Sequence, residues 1–226
     1  MTTIQDFTKA KLVAYSQPAE EFKDQFTSIK DLVAYCARVS NPSNQLNTET
    51  SDKLINYLLK HKHFSPFEMA SITLEIETPR DIARQLLRHR SFTFQEFSQR
   101  YADPTKDLSF ITRDARLQDP KNRQNSVLTE DKELIEMWNE IQTDLIIQVK
   151  KAYTWAITNG IAKEQARTVL PEGLTMSRLY VQGTIRSFIH YIDVRDDDGV
   201  QLEHRVLAQM VSEAICKIFN VKISKD

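Results

Sequence analysis

The sequence predicts an α+β fold in a single domain covering residues 1–226. Three observations carry this prediction. From Ala70 to Glu77 the residues alternate, with Ile72, Leu74 and Ile76 on one side and Ser71, Thr73, Glu75 and Glu77 on the other, the period of a half-buried strand. Several longer segments carry apolar residues at helical spacing, the longest from Thr129 to Thr158. No Pro/Gly/Ser-rich linker divides the chain, and 226 residues suffice for one sizeable core.

The elements follow in order. Lys11 to Tyr15 reads as a short strand, and Ile29 to Arg38 as a helix with Leu32, Val33 and Cys36 on one face, stopped by Asn41-Pro42. Ser51 or Asp52 caps a helix to His61 that buries Leu54, Tyr57 and Leu58. A turn from Lys60 to Glu68 then carries His61, His63, Ser65 and a carboxylate, without the third ligand a metal pair would need. After the Ala70–Glu77 strand, ended by Pro79, a helix from Arg80 to Arg90 turns Ile82, Ala83, Leu86 and Leu87 inward. Its Gln85, Arg88 and His89 stand at i, i+3 and i+4 and can address one ligand together.

Asp103 to Ser126 is polar and aperiodic, a surface excursion with little chemistry of its own. Thr129 caps the longest helix, whose stripe of Leu134, Trp138, Ile141, Leu145, Val149 and Trp155 reads as core or subunit interface; Asn159-Gly160 stops it. Ala162 to Leu170 is a short helix broken by Pro171, and Leu174 to Gln182 a strand interrupted at Gly183. Thr184 caps Ile185 to Val194, which presents Ile185, Phe188, Ile189 and Ile192 on one face and Arg186, His190 and Asp193 on another, with Arg195 at its end. Asp196 to Asp198 is a solvated turn before a last helix, Val200 to Phe219, that buries Leu202, Val206, Met210 and Ile218.

Composition limits the partners. The apolar and charged fractions, 41% and 27%, are ordinary for a globular protein, and a formal net charge of -1 argues against a general nucleic-acid or membrane surface. Clustered arginines therefore point to a small anionic ligand held locally. Met1 to Phe7 lacks a signal-peptide pattern and no apolar run approaches the length of a membrane span, so a cytoplasmic location is expected. Cys36 and Cys216 lie in apolar-periodic segments without metal spacing and are expected as core thiols, neither of them catalytic.

One stretch concentrates phosphate-capable groups: Arg88-His-Arg-Ser-Phe-Thr-Phe-Gln-Glu-Phe-Ser-Gln-Arg-Tyr101. Arginine forks, serine hydroxyls and main-chain N–H groups make an anion cradle. Arg-His-Arg alone also suits a solvated helix end. The whole stretch closely resembles the signature of the flavin-dependent thymidylate synthase (ThyX) family, RHRxxSxNExSxRY, departing at Thr93, where the family usually has Ser, and at Gln95, where it usually has Asn. Further elements are similar to family elements in the same order: Ala37 to Ser40, His63 to Glu68, the A-R-x-x-L-P run around Arg167, and Gly183 to Arg195. The resemblance covers about Cys36 to Glu203.

The resemblance implies reductive methylation of dUMP to dTMP, with 5,10-methylenetetrahydrofolate as carbon donor, FAD as redox carrier and NADPH as reductant. It implies flavin contacts at Ser40, Ser65, Arg88, His89, Arg90, Glu96, Thr184, Arg186 and His190. For dUMP it implies Gln85, Arg88, Glu96, Phe97, Ser98, Gln99, Arg100, Arg167 and Arg195, with Arg195 contacting the uracil ring and favouring its ionised form; His63 and Tyr101 become folate-pocket candidates. It also implies a mixed sheet with long packed helices, assembled as a homotetramer with active sites shared between subunits. No metal, nucleic acid or membrane partner is expected. With no GxGxxG and only 4 glycines, a Rossmann-type cofactor site is disfavoured. Two readings from other classes compete: a non-catalytic anion-binding protein using the Arg88–Tyr101 stretch, and a metal-dependent hydrolase built on His61, His63 and His89.

Overall fold

The computed structural model of the protein describes residues 4–219. In chain order the elements are α1 (Ile4–Phe7), β1 (Lys9–Tyr15), α2 (Ile29–Ala37), α3 (Ser51–Lys60), β2 (Ser71–Pro79), α4 (Arg80–Leu86), β3 (Thr93–Glu96), α5 (Pro104–Asp107), β4 (Arg116–Gln118), β5 (Ser126–Leu128), α6 (Lys132–Thr158), α7 (Lys163–Ala166), β6 (Met176–Thr184), α8 (Ile185–Arg195) and α9 (Leu202–Phe219). The main sheet has the order β1-β2-β6-β3, and β4 pairs with β5 in a separate hairpin.

Every pairing in the main sheet is antiparallel, so the mixed sheet implied by resemblance is corrected. Strands β2 and β3 run the same way on either side of β6, which leaves no parallel neighbours and lets one face stay polar. The alternation expected in β2 is present: Ile72, Leu74 and Ile76 are buried, and register with β6 sets them beside buried Leu179 and Val181. On the other face the register pairs Glu75 with Tyr180 and Glu77 with Arg178; the tyrosine donates to Glu75 at 2.8 Å and the arginine lies 2.7 Å from Glu77. Against the apolar face pack Ile29 and Val33 of α2, Ile55 of α3, Phe188 and Ile192 of α8, and Leu207, Val211 and Ile215 of α9.

Several boundaries differ from expectation for local reasons. The cap of α6 is Asp131, which accepts from Leu134 N at 3.1 Å, whereas Thr129 lies before the helix and accepts from Asp131 N. Thr50 occupies the cap position of α3, and Ser51 and Asp52 are already helical. Helix α4 ends at Leu86, so Arg88 and His89 lie in the turn after it, and their helical phase with Gln85 is lost. Strand β6 is not interrupted at Gly183 but runs through it to Thr184.

Other departures concern burial. Along α6 only Val149 of the predicted stripe is buried, while Ile141 is 54% and Trp155 63% exposed, which overturns the core reading of the stripe but not the subunit-interface reading. Tyr57, expected in the core, is exposed, and Cys36 and Cys216 are only partly buried and form no disulfide. The Asp103–Ser126 excursion holds the β4–β5 hairpin and two inward arginines: Arg116 and Arg113 both reach the buried carboxylate of Glu203, and Arg113 also bonds Asp81 at 2.5 Å. Burial of Glu203 opposes its charge, but these guanidiniums outweigh that and hold its carboxyl below the usual range.

Gly183 has a steric reason. A methyl there would lie 2.8 Å from Cε1 of Phe92 and closer still to Cδ1, and that ring is itself fixed against Phe188 at 4.6 Å. Gly183→Ala is expected to destabilise the fold by about 1–3 kcal/mol, as overpacking does, with part of the loss recovered in Gly183→Ala/Phe92→Leu. Equilibrium denaturation of the single and double variants reads both effects.

Candidate active site at the strand-to-helix junction

Strand β6 passes into helix α8 without a loop. Thr184 is both the last strand residue and the N-cap of the helix, accepting from Ser187 N at 3.3 Å, as expected from the sequence. The carboxylate of Glu68, in the tight turn Ser65–Met69, accepts from Thr184 Oγ1 and from Arg186 Nη1, each at 2.8 Å. Ser187 Oγ donates to the carbonyl of Ser91 at 3.3 Å, which ties the Arg88–Arg90 turn to the same helix. A groove of about 320 Å³ opens here, with Phe64 and Ile189 among its apolar lining and Glu68, Ser91, Arg186 and His190 among its polar lining. Arg88 and Arg90 stand exposed beside it in sequence.

At the other end of α8, Arg195 Nε donates to His89 Nε2 at 3.0 Å, a bond that lets the guanidinium keep both Nη groups. His89 meets Tyr191 edge-on with ring centroids 5.0 Å apart and His204 at 6.4 Å. His204 Nδ1 lies 3.2 Å from Gln85 Oε1, and Gln85 Nε2 donates to Gln201 Oε1 at 2.8 Å. Burial, reinforced by Arg195, His190 and Arg88, lowers the His89 pKa to about 4. Burial with Arg195 and His89 lowers that of His204 to about 3, and burial holds the Tyr191 hydroxyl far above its usual range. All three rings are therefore neutral near pH 7, and the charge here rests on Arg195.

The third part is the loop after β3. Arg100 Nη2 lies 3.3 Å from Glu164 Oε2, Lys163 Nζ donates to the carbonyl of Tyr101 at 2.7 Å, and Arg167 Nε donates to the carbonyl of Glu164 at 3.4 Å. Arg100 and Tyr101 are thus tied to the α7 segment that leads into Arg167, and Gln99 is buried with no partner for its Nε2 among the described residues. Glu96 sits at the base of this loop between Arg80 Nη1 at 3.3 Å and Arg84 Nη1 at 3.2 Å, and accepts from Ser177 Oγ at 2.8 Å. Its carboxylate is committed to support.

The predicted site residues thus fall into three separate groups: Arg186 and His190 in the groove lining, with Thr184 bonded to Glu68 beside them; His89 bonded to Arg195, with Gln85 reached through His204, at the far end of α8; and Arg100 tied through Glu164 to the segment that carries Arg167. Others stand apart. Ser40 is exposed in the turn after α2, while the neighbouring Arg38 is buried and donates to Thr50 Oγ1 at 2.9 Å. His63 is exposed beside the Tyr57 ring, and Tyr101 is 81% exposed. Among the described residues no set of three His, Cys, Asp or Glu side chains could hold a metal, so His61, His63 and His89 do not assemble one. Sequence reasoning missed His204 and Glu203. Both lie on the buried side of α9, where polar residues in phase with Val206, Leu207 and Val211 are the available signal.

Residues 24–219 match the family described as thymidylate synthase complementing protein. The chain belongs to this family. Within its range of relatives, a probable flavin-dependent thymidylate synthase of Paramecium bursaria Chlorella virus 1 is 46% identical over 210 residues, covering 93% of this chain and 94% of that one. A flavin-dependent thymidylate synthase of Synechocystis sp. is 42% identical over 209 residues, covering 92% and 94%. In architecture this family member is similar to a UMP/dUMP methylase, PolB from Streptomyces cacaoi, bound with 5-Br dUMP; the TM-score is 0.77 at 26% identity, covering 96% of this chain and 93% of that one.

The depressed histidines make stability depend on pH. Between the unfolded pKa near 6.5 and the folded values of about 4 and about 3, the unfolded chain binds more protons, so stability is complete above about pH 6.5 and is lost as pH falls. For His204 alone the loss at pH 5 is on the order of 2 kcal/mol. Denaturation midpoints measured from pH 7 to pH 4.5 should fall, and less steeply in His204→Asn.

Proposed function

We propose that the protein is a flavin-dependent thymidylate synthase, which methylates dUMP to dTMP with 5,10-methylenetetrahydrofolate as carbon donor, FAD as redox cofactor and NADPH as reductant. Family membership over most of the chain supports the reaction. The observation that carries the reading at the level of residues is Arg195 held on a neutral His89, whose ring lies against the His204–Gln85 pair, at the end of a helix whose first turn lines the groove.

The residues present fit a flavin dinucleotide. Phe64 and Ile189 give a planar ring an apolar surface, while Arg88, Arg90, Arg186 and Ser65 offer donors suited to two linked phosphates. His190 is exposed on the same side of α8 as Arg186. Bound there, FAD supplies hydride chemistry between the reductant and the one-carbon unit. A groove of about 320 Å³ is small for a whole dinucleotide. The exposed stripe of α6 is an apolar surface of the kind that subunit contacts cover, and together these support a homotetramer with sites completed across subunits. His63 and Tyr101 are both exposed, and their assignment to the folate requires that a neighbouring subunit complete the pocket around them.

For the nucleotide, Arg100 and Arg167 with the Ser98 hydroxyl bind the phosphate, and Arg195 faces the uracil. A uracil is a poor carbon nucleophile while N3 keeps its proton; a permanent guanidinium charge beside the ring stabilises the anion formed when the proton leaves. His89, with a pKa of about 4, does not hold that proton near neutrality and serves as the acceptor that aims Arg195. No protein nucleophile is required. Burial raises the Cys36 pKa, which keeps the thiol protonated.

The reaction is tested by titrating the protein with FAD, following the flavin absorption band, and assaying dTMP formation from dUMP with and without methylenetetrahydrofolate and NADPH. A protein that binds no FAD would refute the reading and favour the anion-binding alternative. Arg195→Ala should keep its fold and flavin spectrum yet lose dTMP formation by about 2–4 kcal/mol in the barrier, the scale of one preorganised electrostatic contact. The variant Cys36→Ala/Cys216→Ala should form dTMP at a rate close to wild type; loss of activity in the folded, FAD-bound protein would assign a thiol to the chemistry.

A further inference from the structure

His204 is fully buried on α9, yet it carries two polar ring atoms. One lies 3.2 Å from Gln85 Oε1; the other, Nε2, has no partner among the described residues. Gln85 in turn donates through Nε2 to Gln201 Oε1 at 2.8 Å. We propose that His204 is a positioning residue of the nucleotide site, which donates from Nδ1 to Gln85 Oε1 and so fixes the Gln85 amide with its NH2 group available to an acceptor oxygen of the nucleotide. The inference rests on the reading above, in which Gln85 binds dUMP.

The direction of the bond follows from counting partners. With Gln85 Nε2 given to Gln201, Oε1 faces the imidazole and accepts, so Nδ1 carries the ring proton and Nε2 is left as a lone pair. The reverse arrangement turns the Gln85 NH2 toward Nδ1 and moves the proton to Nε2. That leaves a buried N–H donor with no acceptor, a costlier orphan than an unpaired lone pair. The first arrangement also gives Gln85 a defined polarity. Its oxygen is spoken for from behind, and its amide retains a second hydrogen for the ligand. The surroundings hold the ring in place: Tyr191 lies 5.7 Å from it between centroids and His89 6.4 Å, and His89 is itself bonded to Arg195. Gln85 and Arg195 are therefore referenced to one buried wall, which fixes the glutamine relative to the arginine.

The test is a double-mutant cycle on dUMP affinity, measured by calorimetry with the FAD-loaded protein. His204→Phe keeps a ring and removes the donor, and should weaken dUMP roughly five- to tenfold, the worth of one hydrogen bond, with kcat at saturating dUMP nearly unchanged. His204→Asn, whose amide nitrogen can replace Nδ1, should recover affinity to within about threefold of wild type. In a Gln85→Ala background, His204→Phe should have no further effect. An equal loss with and without Gln85 would assign His204 a structural role only and overturn the proposal, as would an unchanged affinity in His204→Phe. Nitrogen-15 NMR of the wild-type imidazole tests the bond without any variant: an Nδ1-protonated tautomer supports it, and an Nε2-protonated one overturns it. Failure of the wild type to bind dUMP, with the Nδ1 tautomer present, would instead count against the proposed reaction and leave the His204–Gln85 bond standing.

Discussion

The uninterrupted passage from β6 into α8 is the constraint on which the rest of the site depends. A strand paired with β2 over nine residue pairs has a fixed direction, and a helix that begins at its last residue inherits that direction without a hinge. Gly183 lets Phe92 close over the junction, and Thr184 turns a strand end into a helix cap. Glu68 then clamps the cap and the first-turn arginine together. From there helical geometry sets the spacing. Arg186 and His190 share a face one turn apart, and Arg195 lies nine residues beyond Arg186, roughly 14 Å along the axis at 1.5 Å per residue. One rigid helix thus links the groove to the nucleotide end.

Charge is distributed along this frame in an economical pattern. Carboxylates close to the site are committed to arginines that support it: Glu68 to Arg186, Glu96 to Arg80 and Arg84, Glu203 to Arg113 and Arg116. The Glu68–Arg186 pair, exposed on both sides, contributes little to stability and more to aim. The buried Glu203 cluster is different, because removing either partner would strand a charge without water. His89 and His204, which could have added titratable charge, are kept neutral by burial and by Arg195. The field at the far end of α8 consequently comes from a guanidinium whose charge does not change with pH in the neutral range.

The strand period of β2 and the cap of α8 were legible in the sequence, whereas the caps of α3 and α6, the burial of the α6 stripe and the tertiary partnerships were not. The alternation from Ile72 to Ile76 and the Thr184 cap depend on neighbours within a few residues, and both stand as expected. The helix expected through Arg90 ends at Leu86, because the chain must reverse there to bring Phe92 under β6, a demand no local signal states. Arg113 and Arg116 read as surface residues since their partners, Asp81 and Glu203, are distant in sequence. Similarity of signatures grouped Arg88, Arg100, Arg167 and Arg195, but it did not distinguish residues facing open space from Glu96, which is occupied by two arginines. His204 was missed because a histidine in an apolar helical stripe looks like any other core position until its bond to Gln85 is seen.

The exposed stripe of α6 bears on the phosphate loop as well as on assembly. Helix α6 spans 27 residues, and within the chain its C-terminal end is anchored where Tyr153 and Ala156 pack with Ala166 of α7. Helix α7 supplies Lys163 to the carbonyl of Tyr101 and Glu164 to Arg100, and it leads directly into Arg167. The support for the Phe97–Arg100 loop therefore hangs from a helix that the single chain leaves largely uncovered. In the proposed homotetramer, covering Trp138, Ile141 and Leu145 would immobilise α6 and, through α7, the two arginines assigned to phosphate. Subunit association and nucleotide binding would then be coupled through ordinary packing, with each favouring the other by the same free energy.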